Sequence, residues 1–281
     1  MSGTLFVVAT PIGNLEDITL RALRVLRTVA LIAAEDTRRT ARLLVHHGIS
    51  TRTVSFHEHN TRMRLPQLLA RLEAGDDVAV VSDAGTPGLS DPGVELVQAC
   101  LARDIRIDPV PGASAALTAL VGSGFPTDEV VVLGFPPAKG NDRKRWLRKA
   151  TLHLGTVVFF ESPHRIRGLL SELVVLLADR PIVVGRELTK LHQEFLRGTA
   201  GKVASQMGDP RGEFTVVLGP VEPDLKVATP VSETQVRDEF VQMTNSGTVG
   251  RREAVVLLSK RYGYRSRQVY AMIEAAKDSG E

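Results

Sequence analysis

VAVVSDAGTPGLSDPG, residues 78–93, is the stretch that decides how the rest of the chain is read. Val78, Ala79, Val80 and Val81 form a short, continuous, apolar and mostly β-branched run, the pattern of a strand buried on both faces. The segment behind it is no average turn, since Ser82, Asp83, Gly85, Thr86, Pro87, Gly88, Ser90, Asp91, Pro92 and Gly93 follow in close order. Glycine lets a backbone approach a ligand closely, and proline stiffens a loop without adding donors. In an open parallel sheet, ligands sit just beyond the carboxyl ends of the strands. A rigid, polar loop in that place is expected to cradle a ligand.

Working outward, strands and helices alternate on both sides. Residues 5–9 (LFVVA) predict a first strand and Thr10-Pro11-Ile12-Gly13-Asn14 a turn. Asp17 is expected to cap a helix whose apolar stripe is Ile18, Leu20, Leu23, Val25 and Leu26. A second strand at 31–34 ends in Glu35-Asp36-Thr37-Arg38-Arg39, where Thr37 is expected to cap a helix running to His47. A short strand at 53–56 leads into His57-Glu58-His59-Asn60 and a helix over 62–74. Beyond the central loop, a helix over 94–103 and a strand over 105–110 precede Pro111-Gly112-Ala113-Ser114, which opens a helix over 115–121. This alternation means an α/β fold with a mostly parallel sheet.

GSGFPT, residues 122–127, reads as a linker. After it, strands at 130–133, 156–160, 181–186, around Phe195 and at 214–218 accompany a basic helix and a helix over 166–177. Fewer long helices predict a smaller second sheet with more antiparallel pairing. PVEPDLKVATP, 220–230, is an extended proline-rich linker. Behind it, helices starting at Ser232 and spanning 251–261 and 266–276 resemble a helix-turn-helix module. The expected organisation is an α/β domain at 1–124, a second at 125–222, and a helical tail at 228–281.

The totals narrow the function class. With 281 residues, 43% hydrophobic and 24% charged, the chain has material for one large or two medium globular domains. Apolar runs stop at five or six residues, too short for a membrane helix. The start MSGTLFVVATPIGN has neither the basic region nor the cleavage pattern of a signal peptide. A single cysteine, Cys100, excludes internal disulfides and fits a reducing cytoplasm. The net charge is only +3, but its distribution is uneven. Residues 139–149 (KGNDRKRWLRK) carry six basic side chains against Asp142, and 251–267 carry six against Glu253. Such patches serve phosphate backbones. His46-His47 and His57/His59 have no cysteines at ligand spacing, so no metal site is expected. Trp146, the only tryptophan, stacks on a base or anchors the basic helix.

In order and spacing, ATPIGNLEDITLRAL, AAEDTRRT, SFHEHN, SDAGTPGLSDPG, VPGASAALTAL and FFESPHRI resemble the ribosomal RNA small subunit methyltransferase I family. That family lies within the tetrapyrrole methylase superfamily, whose members use S-adenosylmethionine. The likeness runs from about Leu5 to Gly219, and the helical tail also resembles that of the family. It implies two α/β domains with the donor in the cleft between them, a homodimer, and 2′-O-methylation of a cytidine in the decoding region of 16S rRNA within the 30S subunit. The first loop departs from the wider superfamily, whose members place several glycines there. Here Gly13 stands alone, which argues against a corrin or siroheme substrate. No GxGxxG followed by a ribose-binding acid is present, which sets aside a conventional Rossmann methyltransferase.

The resemblance implies donor contacts from Asp83, Ala84, Gly85 and Gly88 in the central loop and from Ser114 and Ala115 opposite them. Pro11, Phe160, Glu213 and Thr215 are further candidates that the resemblance implies, and Ser114 also reads as a simple helix cap. A ribose hydroxyl becomes nucleophilic only when its proton is taken, so a carboxylate, histidine or lysine must stand nearby. Glu35, Asp36 and His57 are the candidate bases, with Glu161-Ser162-Pro163-His164-Arg165 a third polar cluster behind a strand. Arg38, Arg39, Asn60, Lys139, Arg143, Lys144, Arg145, His164 and Arg165 are the candidate RNA contacts, since arginine holds phosphate bidentately. The same carboxylates and arginines also read as braces for one another. Two rival functions remain: methylation of a small molecule or protein, and an inactive ribosome-binding module.

Overall fold

The computed structural model describes residues 2–88, 93–177, 179–221, 233–245, 250–262, 264 and 266–274. Leu89, Ser90, Asp91 and Pro92 of the central loop, Ser232, and the expected linker from residue 222 onward lie outside the described residues. Contacts divide the chain into two units, Met1–Val221 and Glu222–Glu281.

The first unit holds two sheets. The first is built from β1 (Thr4–Val8), β2 (Leu31–Ala34), β3 (Thr53–Ser55), β4 (Val78–Val81) and β5 (Arg106–Val110). All pairings are parallel, in the order β3-β2-β4-β1-β5. Helices α1 (Leu20–Thr28), α2 (Thr37–His46), α3 (Thr61–Glu73) and α4 (Val94–Leu101) make the crossovers. Every residue of β2 and β4 is buried, as their unbroken apolar runs require. The two-residue period sorts them by face. Leu31, Ala33, Val78 and Val80 pack with Leu68, Leu72 and Leu96, whereas Ile32, Ala34, Ala79 and Val81 pack with Ala22, Val25, Leu26 and Leu44. Each fully buried Val or Leu contributes about 1.5–3 kcal/mol over an exposed one. The chain leaves β1 towards β2 but leaves β4 towards β5, so the strand order reverses between β1 and β4. That is where a doubly wound sheet opens a crevice.

The second sheet is not smaller than the first, as the reduced helix content had predicted; it too has five strands. These are β6 (Val130–Val132), β7 (Thr156–Glu161), β8 (Ile182–Arg186), β9 (Glu194–Gly198) and β10 (Phe214–Leu218), in the order β6-β7-β10-β8-β9. Only β6 with β7 is parallel. One face packs on α6 (Gly140–Leu152), α7 (Ile166–Leu177) and α8 (Ala200–Gln206). The other face takes α5 (Ala115–Ser123), whose Ala116, Ala119 and Leu120 meet Val158, Val183 and Val217. This helix follows the first sheet in sequence yet is buried against the second, so it ties the two together. Its alanines allow a close approach, and Gly124, at φ +73°, ends it in the left-handed region.

Two caps differ from the sequence expectation. Asp17 lies in a short 3-10 turn, and Thr19 caps α1 by accepting from the Ala22 N–H. Asp36, not Thr37, caps α2. The second unit contains α9 (Glu233–Asn245), α10 (Arg251–Tyr262) and α11 (Ser266–Glu274) among its described residues. They enclose Val236, Phe240, Ala254, Val255, Leu258, Val269 and Ile273.

Candidate functional site

The loops behind β1 and β4 are joined by a small antiparallel bridge. The Thr10 N–H donates to the Gly85 carbonyl at 2.8 Å, and the Gly85 N–H donates to the Thr10 carbonyl at 3.0 Å. Thr10 Oγ1 also donates to the Ser82 carbonyl at 3.1 Å. Gly85 sits at φ +81°, a conformation that a side chain disfavours. The bridge holds Ala84, Gly85 and Thr86 along the wall of a cavity of about 350 Å³. Ile12 lines that cavity, whereas Pro11 is buried beside it without lining it.

The ends of β2 and β4 are clasped reciprocally. The Asp83 N–H donates to Glu35 Oε2 at 3.0 Å, and the Asp36 N–H donates to Asp83 Oδ1 at 2.9 Å. Arg39 Nη1 lies 3.5 Å from Asp83 Oδ2. Glu35, Arg39 and Asp83 all line the cavity, and Asp36 does not. The Asp36 carboxylate instead accepts the Arg38 N–H at 2.8 Å and the Arg38 guanidinium at 3.2 and 3.0 Å. These contacts, the guanidinium first, hold its pKa down at about 2. The structure places Asp36 as a helix cap outside the cavity wall, with its carboxylate already engaged by Arg38.

The opposite wall comes from the second sheet and α5. Ser114 and Ala115 stand at the start of the helix, where Ser114 caps it by accepting the Leu117 N–H at 3.4 Å. Phe135 and Phe160, with ring centroids 5.4 Å apart, add an apolar surface with Leu188. Glu213, Phe214 and the buried Thr215 contribute from β10 and its approach. Glu161 closes the base with a fully buried side chain. Its Oε1 accepts the Ser162 N–H at 2.8 Å and pairs with Arg165 Nη2 at 2.7 Å, and Arg143 Nη1 lies 3.8 Å from Oε2.

Two expected RNA contacts are thereby committed elsewhere. Arg143 is buried and grips Glu172 through Nε at 3.0 Å and Nη2 at 2.5 Å, because its position on α6 faces the core beside Leu147 and Ala150. Arg165 braces Glu161, the Pro136 carbonyl and Ser162 Oγ. Lys139, Lys144, Arg145, His164, Arg38 and Arg39 are exposed. Trp146 packs edge-on against Phe159 at 5.0 Å and anchors its helix. His57 and Asn60 also miss the cavity. Asn60 folds back on the His57 N–H at 2.9 Å and on Ser55, and its Nδ2 lies 3.2 Å from His57 Nε2. The cluster sits behind β3, the edge strand, one strand too far out. Gly88 belongs to the loop but does not line the cavity. Sequence reading missed Ile12, Phe135, Leu188 and Phe214. The turn Gly134-Phe135-Pro136-Pro137 was a visible signal for Phe135; Leu188 offered none.

Among the described residues, the cavity combines aromatic and aliphatic walls, backbone from two loops, and four carboxylates against one lining arginine. Its volume falls in the range of about 300–1,000 Å³ usual for small-molecule sites. Such a lining suits a cationic molecule that carries a flat ring with polar edges. Among the described residues, no three His, Cys, Asp or Glu side chains form a group that could hold a metal.

A sequence model of the Tetrapyrrole (Corrin/Porphyrin) Methylases matches residues 4–204. The ribosomal RNA small subunit methyltransferase I of Synechocystis sp. is 42% identical over 273 residues, covering 96% of this chain and 97% of the relative. The protein of the same name from Thermotoga maritima is 47% identical over 218 residues, covering 77% and 98%. Among solved structures, diphthine synthase aligns with a TM-score of 0.62 at 13% identity, covering 77% of this chain and 90% of that one. The Thermus thermophilus uroporphyrin-III C-methyltransferase complexed with S-adenyl homocysteine aligns with a TM-score of 0.56 at 19% identity, covering 77% and 97%.

Proposed function

The chain belongs to the tetrapyrrole methylases, in the ribosomal RNA small subunit methyltransferase I family, and from that premise we propose that it methylates small-subunit ribosomal RNA. The donor is S-adenosylmethionine, and the acceptor we assign is the 2′-hydroxyl of a cytidine in the decoding region. One observation carries this reading: the cavity at the strand-order reversal between β1 and β4 has the carboxylates, aromatic walls and loop backbone that such a donor needs.

When bound, S-adenosylmethionine supplies an electrophilic methyl on a positively charged sulfur. The chain's own groups do the rest. Phe135, Phe160, Ile12 and Leu188 bury the apolar part and exclude water, which strengthens every polar contact inside. Backbone from 84–86 and from 114–115 orients the molecule. Glu35 is our choice of base. It lines the cavity, and one of its oxygens is fixed by the Asp83 N–H. With donor and acceptor in place, Glu35 would take the proton of the ribose hydroxyl, and the residues of the wall would hold the donor's methyl towards that oxygen. Exposed Arg38, Arg39, Lys139, Lys144, Arg145 and His164 offer phosphate contacts around the site. The homodimer belongs to the same proposal, and light scattering would test it.

The test is methyl incorporation from labelled donor into 30S subunits lacking the modification, followed by nuclease mapping. Label in a 2′-O-methylcytidine near the decoding site is the expected result. Label absent from both subunits and naked 16S rRNA, despite tight donor binding, would overturn the reading in favour of a small-molecule or protein acceptor.

A further inference from the structure

A second cavity, of about 190 Å³, lies at the opposite end of the first sheet, where β2 and β3 begin. Its polar lining is three arginines and one amide, Arg52, Arg64, Arg71 and Gln67, over an apolar floor that includes Leu31 and Leu68. Among the described residues no acidic side chain lines it, and only Arg71 is paired with a carboxylate, through Nη1 to Asp76 at 2.9 Å. Arg64 gives Nη1 to the Gln67 carbonyl oxygen at 2.9 Å, while its Nε is buried with no hydrogen-bond partner. The Arg52 side chain makes no hydrogen bond or ion pair with any described residue.

Three guanidinium groups around one small cavity repel one another, and a single carboxylate does not offset them. A buried N–H without an acceptor adds its own desolvation cost. An anion in the cavity relieves both. Guanidinium forks match the tetrahedral oxygens of phosphate, and the Gln67 amide nitrogen adds a neutral donor. The position of the cavity says which phosphate. Helix α2 starts at Thr37 beside the donor cavity and carries exposed Arg38, Arg39 and Arg42 back along the strands to the end where β3 begins, on the face opposite Leu31 and Leu68. Its length is about 15 Å at 1.5 Å per residue, which sets the scale of the separation.

We propose that Arg52, Arg64, Arg71 and Gln67 hold a backbone phosphodiester of the RNA substrate, several nucleotides from the methylated one. This rests on the RNA reading above. Binding to 30S subunits at several salt concentrations tests it with Arg52→Ala, Arg64→Ala and Arg64→Lys variants. Either alanine variant is expected to weaken subunit binding about tenfold, the size of a lost charge-assisted hydrogen bond. The slope of log affinity on log salt should fall by about one. Arg64→Lys should keep the slope and recover only part of the affinity. Calorimetric donor affinity should stay at the wild-type value, which also shows that the variants are folded. Unchanged affinity and slope in both alanine variants overturn the proposal. So does loss of stabilisation by inorganic phosphate with RNA affinity intact, because the site would then serve a free anion. If the wild type itself neither binds nor methylates subunits, the RNA reading falls with it; if it methylates them and the variants match it, this inference alone falls.

Discussion

Glu35 and Asp83 from the first sheet and Glu161 from the second reach one cavity by opposite constructions. At the first sheet the carboxylates are fixed by backbone N–H groups of the neighbouring strand end, so Arg39 pairs with Asp83 at 3.5 Å without being drawn into the core. Arg38 and Arg39 remain 89% and 59% exposed. At the second sheet Glu161 has no exposed surface, and Arg165 and Arg143 are drawn inward around it. Whether an arginine is free to meet a phosphate thus depends on how the nearest carboxylate is satisfied, not on how many basic residues the segment carries. The 139–149 segment is the denser run, yet the second cavity, with sparse arginines and one carboxylate partner, is the better anion site.

The sharpest way to break this comparison is at Glu35. Glu35→Gln keeps an oxygen for the Asp83 N–H but cannot take a proton. Single-turnover transfer should fall roughly 100- to 10,000-fold, the usual worth of a general base, with calorimetric donor affinity nearly unchanged. Asp36→Asn should leave transfer close to wild type. Equal losses in both variants would make the clasp, rather than a proton acceptor, the important feature.

The second sheet supplies the next largest effect. Arg143→Ala strips one cation from a buried carboxylate and should cost about 3 kcal/mol in denaturant unfolding, at the lower end for breaking a buried pair. Arg145→Ala, two positions along the same helix but 80% exposed, should stay within about 0.5 kcal/mol. If the two variants were alike, Glu161 would not depend on its cations.

A smaller loss is expected where the loop after β1 meets the turn after β8. A Cβ on Gly13 would come within 2.9 Å of the Leu188 carbonyl and overlap the Lys190 side chain. Gly13→Ala should cost about 1–3 kcal/mol, as overpacking does, and should weaken donor binding because Ile12 and Leu188 line the cavity. A thermal melt and a donor titration check both.

Much of this was legible in the sequence, for stated reasons. The runs LIAA and VAVV read as strands covered on both faces, which places the loop behind VAVV at a sheet end. Asp83, Ala84, Gly85, Ser114, Ala115, Phe160, Glu213 and Thr215 do line one cavity. Periodicity could not show that α5 packs on the second sheet, because an alanine-rich helix with little polar contrast has no marked face. Nor could it show that Arg143 turns inward, since four other basic residues on the same helix remain in solvent. Arg52, Arg64 and Arg71 are spread over twenty residues with no motif, and only the packing of α3 against the edge of the sheet brings them together. His57 follows a strand as the candidate bases do, but only the strand order shows that this strand is at the edge and that His57 lies off the cavity wall.

Asp36 gives the smallest expected effect, and its sign follows from its contacts. Its carboxyl has an ordinary value of 3.8 and is held at about 2 in the folded chain, first by the Arg38 side chain and then by the Arg38 N–H. A carboxyl depressed on folding adds stability above its unfolded value and loses it as pH falls from about 4 to about 2. Above that window the contribution is constant. The pair is exposed, so salt screens it and the effect is small. Asp36→Asn retains a capping side chain but has nothing to titrate, so its melting temperature should fall less steeply than that of the wild type across the window. Parallel falls would mean that the Arg38 contact does not hold the carboxyl low, and the argument against Asp36 as the base would then rest only on its absence from the cavity wall.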